Sequence, residues 1–134
     1  MPKFLLLTKY VAVEGVEPMA NWAPDDIEAH VDFLKALNRE LIDIGELVDA
    51  QALTGPDQAK IVTVDILGAP LLTDGPFLES KELLAGYQMV DVESEARAIE
   101  IAAKLSAAPG PGGVPIRQPI EVRQVMGALP IADL

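Results

Sequence analysis

The tetrapeptide Asp74-Gly75-Pro76-Phe77 is the stretch of the sequence whose residue types most directly suggest a reactive site. An Asp ahead of a turn commonly accepts a hydrogen bond from the amide two residues later. That position holds proline, which has no N–H. The Asp74 carboxylate must therefore find another partner: a nearby amide, a side chain such as Lys81, water or a ligand.

Two interpretations of this tetrapeptide remain open. In the structural one, Asp74 caps a short following helix and Phe77 anchors the turn in the core, which is the commoner role of an Asp-Gly turn. In the functional one, the carboxylate stands at the mouth of a cleft as a general base or ligand acceptor, with Lys81 as an acid. The neighbouring Glu79 would then contact the ligand, or else be a solvated charge.

His30, the single histidine, is the second candidate. Its spacing from Leu34, Leu37 and Leu41 places it on the apolar face of a helix, near the helix start. An imidazole titrates near neutrality, so His30 is a natural acid or base, although a lone inward His is more often a core or dimer-contact residue. Because the chain has no Cys, carboxylates would have to complete any transition-metal site, and we expect no metal or cofactor.

Aromatic residues are few, with one Trp, two Tyr and three Phe. Trp22 and Tyr87 are candidates to line a ligand pocket, and Phe77 of the tetrapeptide would join them. Each of them is equally suited to the core. We therefore predict catalytic roles for Asp74, His30 and Lys81, and ligand contacts for Trp22, Phe77, Glu79 and Tyr87.

Hydrophobic periodicity and turn residues predict the elements that must position these side chains. The predicted elements are a strand at 3–9, a helix at 25–44, a strand at 46–53, a hairpin at 60–73, a helical turn at 79–86, a strand at 87–92, a helix at 93–106 and a strand at 120–126. Pro24 starts the first helix, Ala23 is a poor cap for it, and Gly45 ends it. In the second helix we expect Ala96, Ile99 and Ala103 to face inward.

Without the hairpin the predicted order is β-α-β-β-α-β. Two helices on one face of an antiparallel sheet give an α+β, ferredoxin-like fold within a single domain, residues 1–134. The apolar runs Phe-Leu-Leu-Leu (4–7) and Tyr-Gln-Met-Val (87–90) suggest that the other face of the sheet is apolar too. We expect a homodimer to cover that face.

Charge and hydropathy exclude some partners. Ten Lys and Arg stand against 21 Asp and Glu, a net charge of −11, which repels the phosphates of nucleic acid. The first apolar run is far shorter than a membrane-spanning helix and no cleavage site follows it. The sequence thus predicts a cytoplasmic protein without nucleic-acid or membrane partners.

Residues 73–92 resemble the signature of the DGPF-motif proteins of the YCII-related family, and similar segments extend over most of the chain. The resemblance implies a bacterial protein with the dimeric α+β barrel fold, often encoded beside extracytoplasmic-function sigma factors. It also implies a cleft with a His and an Asp, as in shorter relatives regarded as enzymes; a dehydrochlorinase belongs to the wider family. His30 lies about one helical turn before that His position, where this chain has Leu34.

Two functional hypotheses follow. In the first, the chain is an enzyme-like protein with an acid/base site for a small organic substrate in a dimer cleft. In the second, it is a non-catalytic dimeric module that binds a small ligand or partner and serves regulation in sigma-factor systems.

Overall fold

The computed structural model describes residues 1–10, 13–74 and 83–127. Its helices and strands are β1 (Lys3–Tyr10), α1 (Pro24–Asp43), β2 (Leu47–Ala52), β3 (Lys60–Val64), β4 (Pro70–Asp74), β5 (Leu83–Asp91), α2 (Glu95–Ser106) and β6 (Ile120–Gln124). Single 3-10 turns occur at Met19–Asn21, Pro56–Gln58 and Pro111–Gly113. Within these ranges, neither α-helix has both the length and the apolar character needed to cross a membrane.

The sheet confirms the predicted fold class. Strands β2, β5, β1 and β6 lie in that order and pair antiparallel, which is the ferredoxin-like arrangement. Strands β3 and β4 form the expected hairpin as a separate two-stranded sheet. The prediction of a mixed α+β chain with an inserted hairpin is therefore confirmed.

The core lies between one face of the sheet and the two helices. Side chains alternate along a strand, so Phe4 and Leu6 of β1 and Val90 of β5 all point to this helix face. They are almost fully buried and pack against buried side chains of the helices, namely Leu37, Leu41, Ala98, Ile101, Ala102 and Leu105.

Helix α1 starts and ends as its sequence indicates. Ala23 occupies the N-cap without a side-chain hydrogen bond, and Pro24 opens the helix. At the other end Gly45 adopts φ +77°, and the Glu46 amide donates to the Leu41 carbonyl at 2.8 Å. The Gly45 amide donates to the Ile42 carbonyl, which completes a Schellman motif and fixes the turn into β2.

The predicted inward face of α2 is wrong. Ala96, Ile99 and Ala103 are exposed, and the buried residues are Ala98, Ile101, Ala102 and Leu105. Both sets have helical spacing, because α2 carries small or apolar residues on two sides. The choice between them depends on how the helix packs on the sheet, which periodicity alone does not determine.

The predicted helical turn at 79–86 is also wrong for its second half. Leu83 pairs with Tyr10 and Gly86 pairs with Thr8, so residues 83–86 begin strand β5. Leu and Ala favour helix locally, but sheet pairing on both sides of β5 overrides that preference. Residues 79–82 lie outside the described ranges.

The second face of the sheet has no helix over it in the described chain. Leu5 and Leu7 of β1 and Met89 of β5 lie on this open face and are partly exposed. Charged residues share it: the Lys9 ammonium lies 2.6 Å from the Glu121 carboxylate. The open face therefore has an apolar part and a charged part.

The β3–β4 hairpin extends from the sheet with apolar side chains in water. The register brings Val62 opposite Leu72 and Val64 opposite Pro70, on one side of the hairpin. Val62, Val64 and Leu72 are 60%, 64% and 66% exposed. An isolated two-stranded hairpin is marginally stable, so these exposed apolar side chains are suited to packing against a further surface.

Arg97 fastens α2 to the turn between α1 and β2. Its guanidinium donates from Nε and Nη2 to the Glu46 carboxylate, at 3.1 and 2.8 Å, and from Nη1 to Glu100 at 3.1 Å. The hydrogen bonds with Glu46, followed by those with Glu100, hold the pKa of Arg97 above its usual range. The Arg97 and Glu46 side chains are only 20% and 14% exposed, so solvent screens this pair weakly.

We predict that Arg97→Met lowers the free energy of unfolding by about 1–3 kcal/mol, because Glu46 loses its cation in a partly buried position. Lys104→Met on the same helix is the matched control. Lys104 lies 3.5 Å from Glu40 and both side chains are about half exposed, so its loss is expected to cost less than about 0.5 kcal/mol. Urea unfolding measures both; equal losses would contradict the prediction.

Candidate functional site

A cavity of about 150 Å³ lies between the helices and the sheet. The sheet contributes Thr8, Gly86 and Gln88 to its wall, and the helices contribute His30 and Leu105. Further apolar wall comes from residues of α1, β6 and the chain after α2, namely Leu34, Ile120 and Ala108. Polar groups therefore meet apolar surface in one concave space, which is the usual composition of a small-molecule site.

Small residues keep this space open. Gly86 places no side chain on the helix face of β5, and Ala52 is its partner on β2. A Cβ added at Gly86 would lie 2.7 Å from the Gln51 carbonyl oxygen and 3.3 Å from the Ala52 Cα. Glycine is thus required for the close approach of β5 to β2 beside the cavity.

The His30 ring is held by a backbone carbonyl. Its Nδ1 lies 3.0 Å from the carbonyl oxygen of Pro109, which is 79 positions away in sequence. A carbonyl oxygen can only accept, so Nδ1 carries the hydrogen and donates it. In the neutral ring this leaves Nε2 as an acceptor, so the contact defines the tautomer of a side chain in the cavity wall.

Trp22 also contacts the His30 ring. The two ring centroids are 5.5 Å apart and the planes meet at 80°, an edge-to-face contact. The Trp22 indole is buried and donates through Nε1 to the Glu17 carbonyl at 2.7 Å. The described cavity wall includes His30 but not Trp22, so the indole contacts the histidine ring rather than the cavity.

The chain between α2 and β6 supplies two of the site's contacts. Besides Pro109, it places Gln118 in the cavity wall, where the Gln118 side chain donates to the Lys9 carbonyl. The Ile116 amide donates to the Ala108 carbonyl at 3.0 Å, which closes this segment into a loop. A stretch that reads as a Pro/Gly-rich link in the sequence therefore shapes the site.

Sequence analysis missed Thr8, Gln88 and Gln118. One signal was present for Gln88: it occupies a helix-face position of β5, opposite Leu6, where an apolar residue would be expected. Thr8 follows Phe4 and Leu6 at the next alternate position of β1, so it lies on the same helix face of the sheet. No local pattern marks Gln118, because its place depends on the course of the loop.

Tyr87 has a hydrogen-bond partner that the sequence did not predict, and its predicted ligand contact stays a prediction. It borders the cavity, but strand alternation directs its side chain to the open face, away from Gln88. There its hydroxyl donates to the Asp49 carboxylate at 2.8 Å. This bond lowers the pKa of Asp49, which burial alone would raise. Hydrogen bonds from the Gln51 side chain and the Ala50 amide lower it further by smaller amounts. The same Tyr87–Asp49 contact raises the pKa of Tyr87.

The remaining predicted site residues lie elsewhere. Asp74 is the last residue of β4, in the hairpin. Phe77, Glu79 and Lys81 lie outside the described residues, so their roles and the pairing of His30 with Asp74 stay predictions. Among the residues that the structure does describe, no group of three or more His, Asp and Glu is placed to hold a metal ion.

We predict that Tyr87→Phe raises the pKa of Asp49 toward its ordinary value of 3.8, because the main hydrogen bond to the carboxylate is lost. Because the pKa of Asp49 is lower in the folded than in the unfolded protein, the bond stabilises the fold at any pH above the unfolded-state pKa. That stabilisation is lost as the pH falls through the folded-state pKa of Asp49. The destabilisation by Tyr87→Phe should therefore be present at neutral pH and shrink in acid. Carboxyl NMR titration measures the pKa directly.

Glu121 is the internal control for that titration. Its pKa is lowered chiefly by Lys9, a contact that Tyr87→Phe leaves intact, so it should not move. An Asp49 pKa that stays unchanged in Tyr87→Phe would show that the hydroxyl contact does not form in solution.

Comparison with known proteins agrees with this architecture. The YCII-related domain model matches residues 23–123, from the N-cap of α1 to β6, and so includes His30, the hairpin and β5. The chain is also 31% identical over 97 residues to an uncharacterised protein of Rhizobium meliloti (strain 1021). That similarity covers 72% of this chain and 77% of the relative. The chain belongs to the YCII-related family.

Proposed function

We propose that the chain is an enzyme-like protein in which His30 acts as acid and base on a small organic substrate bound in the cavity. The observation that carries the proposal is the hydrogen bond from His30 Nδ1 to the Pro109 carbonyl, in the wall of a cavity. This contact leaves Nε2 as the free acceptor of the neutral ring.

The chemistry follows from that arrangement. Nε2 takes a proton from a C–H or O–H group of the substrate, and the ring becomes an imidazolium. The Pro109 carbonyl already accepts a hydrogen bond from Nδ1–H, and it stabilises the positive charge of the imidazolium. In other acid/base histidines, the group that accepts from the second ring nitrogen has the same role. The imidazolium then returns the proton to a second atom of the substrate or to a leaving group, which restores the neutral ring.

We propose further partners from the signature motif. Asp74 would act as a second base or orient the substrate, and Lys81 would supply an acid. Phe77 and Glu79 would contact the ligand from the same segment. Trp22 holds the His30 ring, and Tyr87 braces β5 from the open face, so both support the site indirectly.

We also propose that the chain forms a homodimer through the open face, giving the dimeric α+β barrel that the DGPF-motif resemblance implies. Leu5, Leu7 and Met89 form an apolar area there that no described element covers. A two-fold axis through this area would bury the same patch on both copies. The single domain 1–134 would then be half of a cytoplasmic, bacterial assembly, in keeping with the relative in Rhizobium meliloti.

A non-catalytic dimeric ligand-binding or regulatory module is the second candidate function. One observation favours it: the two ring contacts of His30 tie α1 to Pro109, 79 residues away in sequence, and to Trp22 in the segment before the helix. Such contacts suit a histidine that stabilises the fold. The sigma-factor association implied by the DGPF-motif resemblance would then indicate the physiological setting.

We predict that His30→Asn separates the two functions. The Asn amide can replace the donor at Nδ1 but not the acceptor at Nε2, so stability should stay within about 1 kcal/mol of the wild type. Turnover should fall at least about 100-fold, the usual contribution of a general base. The measurement is NMR-monitored conversion of a library of small esters, lactones, amides and halogenated hydrocarbons.

His30→Leu is the matched variant, because it leaves the Pro109 carbonyl without a donor and should cost about 1–3 kcal/mol of stability. Equal turnover by the wild type and His30→Asn would exclude the acid/base role. Binding of library members without any conversion would favour the non-catalytic function.

We predict that Leu7→Asp converts a dimer into a monomer of 14.3 kDa, because it puts a charge into the proposed apolar interface. Ile99→Asp is the control, since Ile99 is 52% exposed on α2, and it should leave the dimer intact. Light scattering after size-exclusion chromatography gives the mass, and circular dichroism checks the fold. A monomeric wild-type protein would contradict the dimer proposal.

A further inference from the structure

The polar groups in the described cavity wall include no carboxylate, ammonium or guanidinium group. The hydroxyl of Thr8, the amide of Gln88 and the imidazole of His30 share the wall with aliphatic side chains. Among the described residues that line the cavity, none is an Asp, Glu, Lys or Arg.

Strand alternation explains the segregation of charge. Thr8 and Ile120 face the cavity, whereas their neighbours Lys9 and Glu121 point to the open face and bind each other there. The same alternation places Asp49 on the open face with its Tyr87 partner. The charges of the strands nearest the cavity are therefore on the far side of the sheet.

A charged ligand would consequently bind poorly in this space. Moving an ion out of water is unfavourable unless a counter-charge or several hydrogen bonds compensate it, and the described wall offers no counter-charge. The net charge of −11 additionally disfavours the approach of an anion. The desolvation cost acts against any ion, and the negative field acts further against anions.

Two side chains are available to bind such a molecule. Thr8 and Gln88 lie on neighbouring strands, diagonal to each other across the pair Thr8–Gly86. Gly86 therefore leaves no β5 side chain opposite Thr8, whereas Ile120 of β6 lies opposite it on the other side. Among the described residues neither side chain has a hydrogen-bond partner, although each offers both a donor and an acceptor. A volume of about 150 Å³ has room for roughly five to ten non-hydrogen atoms.

We infer that the cavity binds a short, uncharged molecule with an adjacent hydrogen-bond donor and acceptor, of which an aliphatic carboxamide is the simplest. Its polar end binds Thr8 and Gln88, and its alkyl end contacts Leu34 and Leu105. The inference rests on the cavity being the substrate site proposed above, and it defines the substrate class of that site.

Three molecules of nearly identical shape test the inference: isobutyramide, isobutyrate and isobutyramidinium, with charges of 0, −1 and +1. Each is titrated into ¹⁵N-labelled full-length protein, with the amide signals of Gly86, Gln88 and Ala108 as reporters. The carboxamide should shift these signals with an affinity at least about tenfold above that of either ion. Equal or tighter binding of an ion in the cavity overturns the inference.

Variants identify the groups that bind. Gln88→Leu and Thr8→Val keep the side-chain volume but remove the polar atoms, so each should weaken isobutyramide binding about tenfold. Thr63→Val in the hairpin is the matched control and should leave the affinity unchanged. A concentration of about 0.1 M is near the weakest dissociation constant expected for a ligand of six non-hydrogen atoms. If isobutyramide at this concentration does not shift the amide signals of the cavity residues, the inference is also overturned.

The outcome is separable from that of the acid/base proposal. Cavity binding of isobutyramide without any turnover of the library would support the ligand class and reject catalysis by His30. The library is extended with small carboxylates and amines; conversion of one of these charged substrates that is lost in His30→Asn would support catalysis and overturn the ligand class.

Discussion

The pairing of β5 with β1 on one side and β2 on the other is the constraint on which the rest of the structure depends. It fixes Val90 in the core and brings the Gly86 main chain so close to Gln51 that a side chain cannot fit. Each residue of β5 is thereby assigned to one face of the sheet. The cavity, the core and the open face all follow from this one register.

The two ends of α1 then differ in how tightly they pack. Leu37 and Leu41 are buried against the sheet, whereas His30 and Leu34 are only partly buried. At that looser end, small residues such as Gly86 and Ala108 face the helix, and a cavity remains. The Pro109 carbonyl and Trp22 hold the His30 ring there, so the imidazole is ordered where packing alone would not order it.

The parts of the fold that local signals determine were predictable. Pro24 and Gly45 bracket α1, and apolar runs with turn residues between them gave the βαββαβ order with its hairpin. The site was only partly predictable. His30 was identified from its residue type, but its partner Pro109 is 79 residues away, and Gln118 reaches Lys9 across 109 residues. Such contacts depend on the loop after α2, for which the sequence carries no periodic signal.

Opposite faces of one strand serve the two proposed properties of the chain. Gly86 and Gln88 face the cavity, while Tyr87 and Met89 face the surface proposed for the dimer. The same alternation that sends Lys9 and Glu121 to the open face leaves the cavity wall without charge. A strongly acidic protein thus has a cavity whose described wall carries no Asp, Glu, Lys or Arg, and both its negative field and the lack of a counter-charge act against anions. Selectivity for an uncharged ligand would then arise from the strand register itself, without a dedicated charged recognition residue.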